Sequence, residues 1–324
     1  MISYRALGRP LALAATAALA LTACSSTPDT AASGPTILTS VYPLQYVVEQ
    51  VAGDLAVVES LTPAGADPHS LELSPRVTRA IGDADAVVTL SGFQPAVDTA
   101  VAERTPTHLL DAADVVTLHP AGEDGHDHGD AAAEEDEHAE EDEHAEDDGH
   151  GHGAEDPHFW LDPTAMAEVG DAVGELLAEI DPDNAATYAA NAATLRADLT
   201  DLDATLRTGL GECERDVVVV THAAFGYLTE AYGLTQVGIS GIDPETEPSP
   251  ARLREIRDVV TEHGVTALYT EVLLGPGVVG ALADDLGVAT LVLDPIETQA
   301  SEASDYRDAM LTNLEALRTG LGCA

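Results

Sequence analysis

The chain carries one pattern twice. Laid against itself at an offset of about 180 residues, its apolar runs, turns and helix starts coincide in order. Ile37–Val41, followed by helix-like Leu44–Val51 and Gly53, answers Val217–Thr221, followed by helix-like Phe225–Tyr232 and Gly233. Val57–Leu61 with Pro63 and Asp67-Pro68 answers Gln236–Ser240 with Asp243-Pro244. Ser74-Pro75 and Ser249-Pro250 each open a helix, to about Gly82 and about His263, because a Ser cap satisfies a free N–H and Pro has none to lose. Ala86–Leu90 answers Ala267–Thr270, and further strands are expected near Ala112–Thr117 and Ala289–Leu293. Strands alternating with helices imply parallel sheets joined by right-handed crossovers. The pattern therefore predicts an α/β fold of two similar lobes, each a parallel sheet flanked by helices.

Between the two copies, Asp162-Pro163 caps a helix to about Ile180, and Asp181-Pro182 caps a second to about Thr208. Leu195, Leu199, Leu202 and Leu206 fall on one face of the latter. A helix of about 27 residues is roughly 40 Å long and suits a rigid spine between lobes. The expected organisation is an N-terminal lobe over 37–180, a linking helix over 181–210 and a C-terminal lobe over 211–324, with a ligand cleft between the lobes.

Residues 1–23 read as a signal peptide, with Arg5 and Arg9 ahead of an apolar Leu11–Leu21 that is too short for a stable membrane span. Leu21-Thr22-Ala23-Cys24 resembles a lipobox, which would make Cys24 the lipidated first residue of the mature chain and 24–36 a tether. The expected location is extracytoplasmic, at a membrane surface. Cys213 and Cys323 then remain, and two cysteines in an oxidising compartment are a natural pair. Such a bridge would contribute about 4–5 kcal/mol through chain entropy.

Charge decides among partners. The sequence has 58 Asp+Glu against 13 Lys+Arg, a formal charge of −45, and all the cations are Arg. A chain this acidic is repelled by phosphate backbones, which excludes a nucleic-acid binder. Ala121–Asp156 concentrates the charge: it has acids throughout, no cation, no Val, Leu or Ile, and the tandem hexamer Glu135–Glu140 and Glu141–Glu146. It is expected to be a disordered surface loop. His126, His128, His138, His144, His150 and His152 are interleaved with its carboxylates, a mixture suited to weak, multivalent capture of divalent cations such as zinc. Its deletion is expected to remove weak metal equivalents and leave one tight site.

The tight site is expected elsewhere. His69 lies in Asp67-Pro68-His69-Ser70 after a strand, His158 follows Asp156-Pro157, His222 directly follows Val217–Thr221, and Asp294 directly follows Ala289–Leu293. Ligands of open α/β sheets bind beyond the carboxyl ends of strands. Three imidazoles and one carboxylate have the composition of a tetrahedral zinc site, whereas manganese favours more oxygen. His108 and His263 lack this setting and are assigned to structure. Zinc would displace protons from the imidazoles, so affinity is expected to fall as pH drops through roughly 6–6.5.

These residues carry a specific resemblance. His69, Asp156-Pro157-His158-Phe159-Trp160-Leu161-Asp162-Pro163, Thr221-His222-Ala223-Ala224-Phe225-Gly226-Tyr227 and Asp294-Pro295 resemble the ZnuA-type zinc-binding receptors of bacterial ABC metal importers, over about Thr36 to Gly322. The resemblance implies His69, His158 and His222 as zinc ligands, Asp294 as an acid that ligates in some members and lines the site in others, and Glu271 as an acid orienting a ligand imidazole. It implies a monomeric receptor passing Zn²⁺ to a membrane permease driven by a separate cytoplasmic ATPase, with no catalysis. Manganese-selective relatives typically have Glu at the His222 position. Other readings are a manganese receptor, a surface adhesin or metal buffer, and a zinc hydrolase with an open fourth coordination position. The cysteine spacing departs from the enteric members, so the Cys213–Cys323 pairing rests on compartment and count.

Overall fold

A computed structural model describes residues 34–121, 155–272, 277–299 and 304–324. The first half runs β1 (Thr36–Thr39), α1 (Tyr42–Ala52), β2 (Val57–Ser60), α2 (Pro75–Asp83), β3 (Ala86–Thr89), α3 (Pro95–Arg104) and β4 (Leu109–Asp111). A short stem follows, β5 (His119–Pro120) and β6 (Glu155–Asp156), then α4 (Pro163–Ile180) and α5 (Ala185–Leu210). The second half runs β7 (Val217–Val220), α6 (Gly226–Ala231), β8 (Thr235–Gly238), α7 (Pro250–Glu262), β9 (Ala267–Thr270), α8 (Gly277–Leu286), β10 (Ala289–Val292) and α9 (Tyr306–Leu321).

The duplication is borne out strand for strand. One parallel sheet has the order β2-β1-β3-β4 and the other β8-β7-β9-β10, so both halves share one topology. In each, strand order reverses between the first and third strands, where a crevice opens beyond the strand ends. Both Ser-Pro helix starts hold: Ser74 Oγ accepts the Val77 N–H of α2, and Ser249 Oγ accepts the Arg252 N–H of α7.

Each sheet is covered on both faces, which is why β7 can be four consecutive valines, all buried. Val217 and Val219 pack outward with Ile256, Val260 and Leu282 of α7 and α8. Val218 and Val220 point inward, to a core continuous with Ile37, Val47, Leu195 and Leu317. The two sheets thus share one interior, filled by α1, α4, α5 and α9. At about 1.5 Å per residue, the 26 residues of α5 span roughly 39 Å. Near its start Asn191 Nδ2 donates to the Val51 carbonyl of α1, and near its end Arg207 donates to the Ala231 carbonyl of α6. Leu195, Leu199, Leu202 and Leu206 are all buried. Cys213 and Cys323 are disulfide-bonded, tying the approach to β7 to the tail after α9.

Three expectations change. Ala112–Thr117 is no strand: pairing ends with β4, and Asp111 Oδ1 accepts the Ala113 N–H to start a single 3-10 turn. Pro182–Asn184 also forms a 3-10 turn, so α5 begins at Ala185. Glu155 and Asp156 belong to no loop; they pair antiparallel with Pro120 and His119. Among the described residues, no helix is long and apolar enough to cross a membrane.

Candidate metal centre

Four donor atoms from four loops converge between the sheets. His69 comes from the segment between β2 and α2, His158 from the residues after β6, His222 from the end of β7, and Glu297 from the chain beyond β10. One carboxylate oxygen, Glu297 Oε1, lies 3.1 Å from His69 Nε2, 3.1 Å from His158 Nε2 and 3.3 Å from His222 Nε2. Tetrahedral bonds of about 2.0–2.2 Å have ligand–ligand edges of about 3.3–3.6 Å, so these contacts are near the spacing a zinc ion requires. His158 and His222 are fully buried, and His222 Nε2 has no hydrogen-bond partner. A buried nitrogen without a partner is costly, and a metal would satisfy it.

The outer nitrogens are held from behind. His158 Nδ1 lies 2.7 Å from Asp156 Oδ1, which also accepts the His158 backbone N–H at 3.0 Å. His222 Nδ1 lies 2.7 Å from Glu271 Oε1. An N–H donated from Nδ1 to a carboxylate leaves Nε2 with its lone pair toward the centre and raises its basicity. Glu271 therefore stands in contact with a site imidazole, where the resemblance put it. Asp156 holds the other and was seen in the sequence only as part of a motif. His69 is placed by its own backbone N–H, which donates to Asp67 Oδ1 at 2.8 Å, and by Phe93, whose ring meets its imidazole edge-on at 4.9 Å.

Charge in the cluster is arranged as protons on His158 and His222 against a central carboxylate. For His222, burial works against the cation. The hydrogen bond to Glu271 and the close carboxylate of Glu297, with their charges, outweigh it and raise the pKa to about 10. His158 is raised too, its burial outweighed by hydrogen bonds to Asp156 and Glu297. Glu297 moves the other way: burial would raise it, but the imidazoles of His158, His222 and His69 set against it hold it well below the usual carboxylate range.

Asp294 does not join the cluster; the expected fourth donor is replaced by Glu297. The carboxylate of Asp294 is spent on a turn, with Oδ1 accepting the Ile296 N–H at 2.8 Å. Asn313 fixes the same residue by accepting the Asp294 N–H and donating to its carbonyl. Burial, with Glu297 and Glu271 nearby, raises the pKa of Asp294. The turn then passes through Ile296 at φ 58°, a left-handed conformation that a β-branched residue rarely adopts. That reversal carries Glu297 to the histidines. Strand-end reasoning stopped at Asp294 because the path beyond Pro295 depends on one unusual dihedral that no residue preference announces.

Cys24 and the six loop histidines, His126, His128, His138, His144, His150 and His152, lie outside the described residues. The His108 ring lies with Nδ1 3.0 Å from the Asp85 carbonyl, and His108 is not among the clustered donors.

A family model described as "Zinc-uptake complex component A periplasmic" matches residues 37–320. The zinc-binding lipoprotein AdcA of Streptococcus pneumoniae is 35% identical over 321 residues, covering 95% of this chain. This chain spans 60% of that relative's length. The high-affinity zinc uptake system protein ZnuA of Bacillus subtilis is 32% identical over 294 residues, covering 88% of this chain and 87% of that protein. Among solved structures, the laminin-binding protein Lmb of Streptococcus agalactiae, described as having adhesin and metal-transporting activity, superposes with a TM-score of 0.74 at 28% identity, covering 89% of this chain and 100% of that one. The Zn(II)-bound ZnuA-like domain of S. pneumoniae AdcA gives a TM-score of 0.71 at 30% identity, covering 89% and 99%. Sequence and architecture agree that this chain belongs to the ZnuA family of periplasmic zinc-uptake components.

Proposed function

We propose that this protein is an extracytoplasmic receptor that captures Zn²⁺ at His69, His158, His222 and Glu297 and delivers it to the membrane permease of an ABC importer. The observation that carries the reading is the meeting of three Nε2 atoms and one carboxylate oxygen around a common centre, with Asp156 and Glu271 behind two of the rings. Three nitrogens and one oxygen suit zinc better than manganese. Four protein donors close a tetrahedral shell, which supports a carrier over a hydrolase needing an open position for water. Under the same reading Cys24 bears the lipid anchor, the receptor acts as a monomer, the histidines of residues 122–154 collect metal weakly, and the ATPase is another chain.

Stoichiometry tests this division. The deletion must end at residue 154, because Asp156 holds His158. Equilibrium dialysis of the 122–154 deletion is expected to give one tightly held zinc per chain, with the weaker equivalents of the full chain gone. Absence of tight zinc from both proteins would sink the receptor reading.

Trp160 offers an optical reporter. It is buried, its ring lies 5.2 Å from His158, and its Nε1–H donates to the Pro295 carbonyl at 2.8 Å, two residues before Glu297. Its fluorescence is expected to change on titration with zinc and saturate at one equivalent. A silent Trp160 at saturation would argue against His158 as a ligand.

A further inference from the structure

The stem that carries His158 is gripped from the second half of the chain by α6, where the Tyr227 phenol holds its backbone and Glu230 lies 3.3 Å from the His119 imidazole. β5 and β6 pair over only two residues each, too little to hold themselves. Tyr227, on α6 and 4% exposed, accepts the His119 N–H at 2.7 Å and donates its own hydroxyl proton to the Asp156 carbonyl at 2.9 Å. Its ring lies flat on the His119 imidazole, with centroids 4.1 Å apart and planes 13° from parallel. The preceding residue adds a second constraint. A Cβ on Gly226 would come within 2.9 Å of Asp156 Oδ2, so only glycine lets that carboxylate lie against α6. The other oxygen, Oδ1, is the one holding both the backbone N–H and Nδ1 of His158.

We propose that Tyr227 is a positioning residue for the metal centre: by fixing the backbone of Asp156 it sets the orientation and tautomer of His158, and so the aim of Nε2 at the ion. This rests on the zinc-receptor reading. An imidazole ligand gains from a fixed partner only if that partner is itself fixed. No other hydroxyl is bonded to this stem among the described residues.

The test compares the full chain with Tyr227→Phe, Gly226→Ala, His119→Ala and His158→Ala. Zinc affinity is measured by chelator competition, tetrahedral geometry by the visible bands of the Co²⁺-loaded protein, and fold by thermal unfolding without metal. Tyr227→Phe keeps the ring against His119 and removes only the hydroxyl. It is expected to weaken zinc binding about 10–100-fold, the usual range for an outer-shell partner, and to shift the cobalt bands. Gly226→Ala, which displaces the carboxylate and leaves the phenol in place, is expected to do the same. His119→Ala, which keeps the backbone N–H, is expected to bind like the unaltered chain. Lower thermal stability of Tyr227→Phe with unchanged zinc affinity and cobalt bands would overturn the proposal and reduce Tyr227 to a packing residue. Failure of the receptor reading looks different: the unaltered chain binds no zinc, or His158→Ala binds as tightly as it does.

Discussion

Replacing Glu297 by Ala is expected to weaken zinc binding by about two to three powers of ten, whereas Asp294→Asn is expected to stay within about tenfold of the unaltered protein. Four-ligand structural zinc sites bind with about 10–16 kcal/mol, so one ligand of four carries about 2.5–4 kcal/mol, or roughly 100- to 1,000-fold. Glu297 Oε1 touches all three imidazoles, and among the described residues no other carboxylate oxygen does. Asp294→Asn retains an oxygen to accept the Ile296 N–H, so the turn that delivers Glu297 survives. Chelator competition on the two variants separates the assignments. A large loss in Asp294→Asn with little in Glu297→Ala would restore Asp294 as the ligand.

Zinc affinity is expected to keep rising above neutral pH. Zinc binds deprotonated imidazole, so each proton it displaces contributes about a tenfold change per pH unit wherever the metal-free protein still holds that proton. Unperturbed histidines would reach a plateau above about pH 7. His222 is raised to about 10 by Glu271 and Glu297 against its burial, so its proton must be displaced at pH 5.5, 7.5 and 8.5 alike. From this residue alone, affinity should rise at least about 100-fold from pH 5.5 to 7.5 and about tenfold more to 8.5. Because the folded-state pKa is raised, the window of lost affinity extends upward to about 10 and is not confined to the 6–6.5 of free imidazole. Calorimetric titration at pH 7.5 in buffers of different ionisation enthalpy should show at least one proton released per zinc. Heats independent of buffer, with a plateau between pH 7.5 and 8.5, would contradict the arrangement of His222 between two carboxylates.

The halves of the fold were legible because duplication doubles every weak signal. A Ser-Pro start or a run of valines alone is ambiguous, but the same succession twice leaves little besides two parallel sheets. The Ala112–Thr117 segment failed where apolar residues satisfy a 3-10 turn as readily as a strand, and Asp111 tipped the balance. His69, His158 and His222 were legible from their places after strands or beside Asp-Pro turns. Glu297 was not, since its approach depends on the left-handed Ile296. Tyr227 was hidden for a related reason: its role is a hydrogen bond to a residue 71 positions away, which spacing along one element does not encode, whereas Asp156 stands two residues from the imidazole it holds.

The bridge between Cys213 and Cys323 divides the centre in a way the two sheets do not. It closes a covalent ring with a sequence separation of 110, and His222, Glu271 and Glu297 all ride on that ring. His69 and His158 ride on the open chain before it. The centre is thus a clasp between a loop of thread and a free end. A single cut anywhere in the ring, including the turn that presents Glu297, would leave both fragments joined by the remaining arc and the sulfurs. A cut between His158 and Cys213 would part the two pairs of metal-facing residues, with only non-covalent contacts, among them the Tyr227 hydrogen bonds to the stem, left to hold them together.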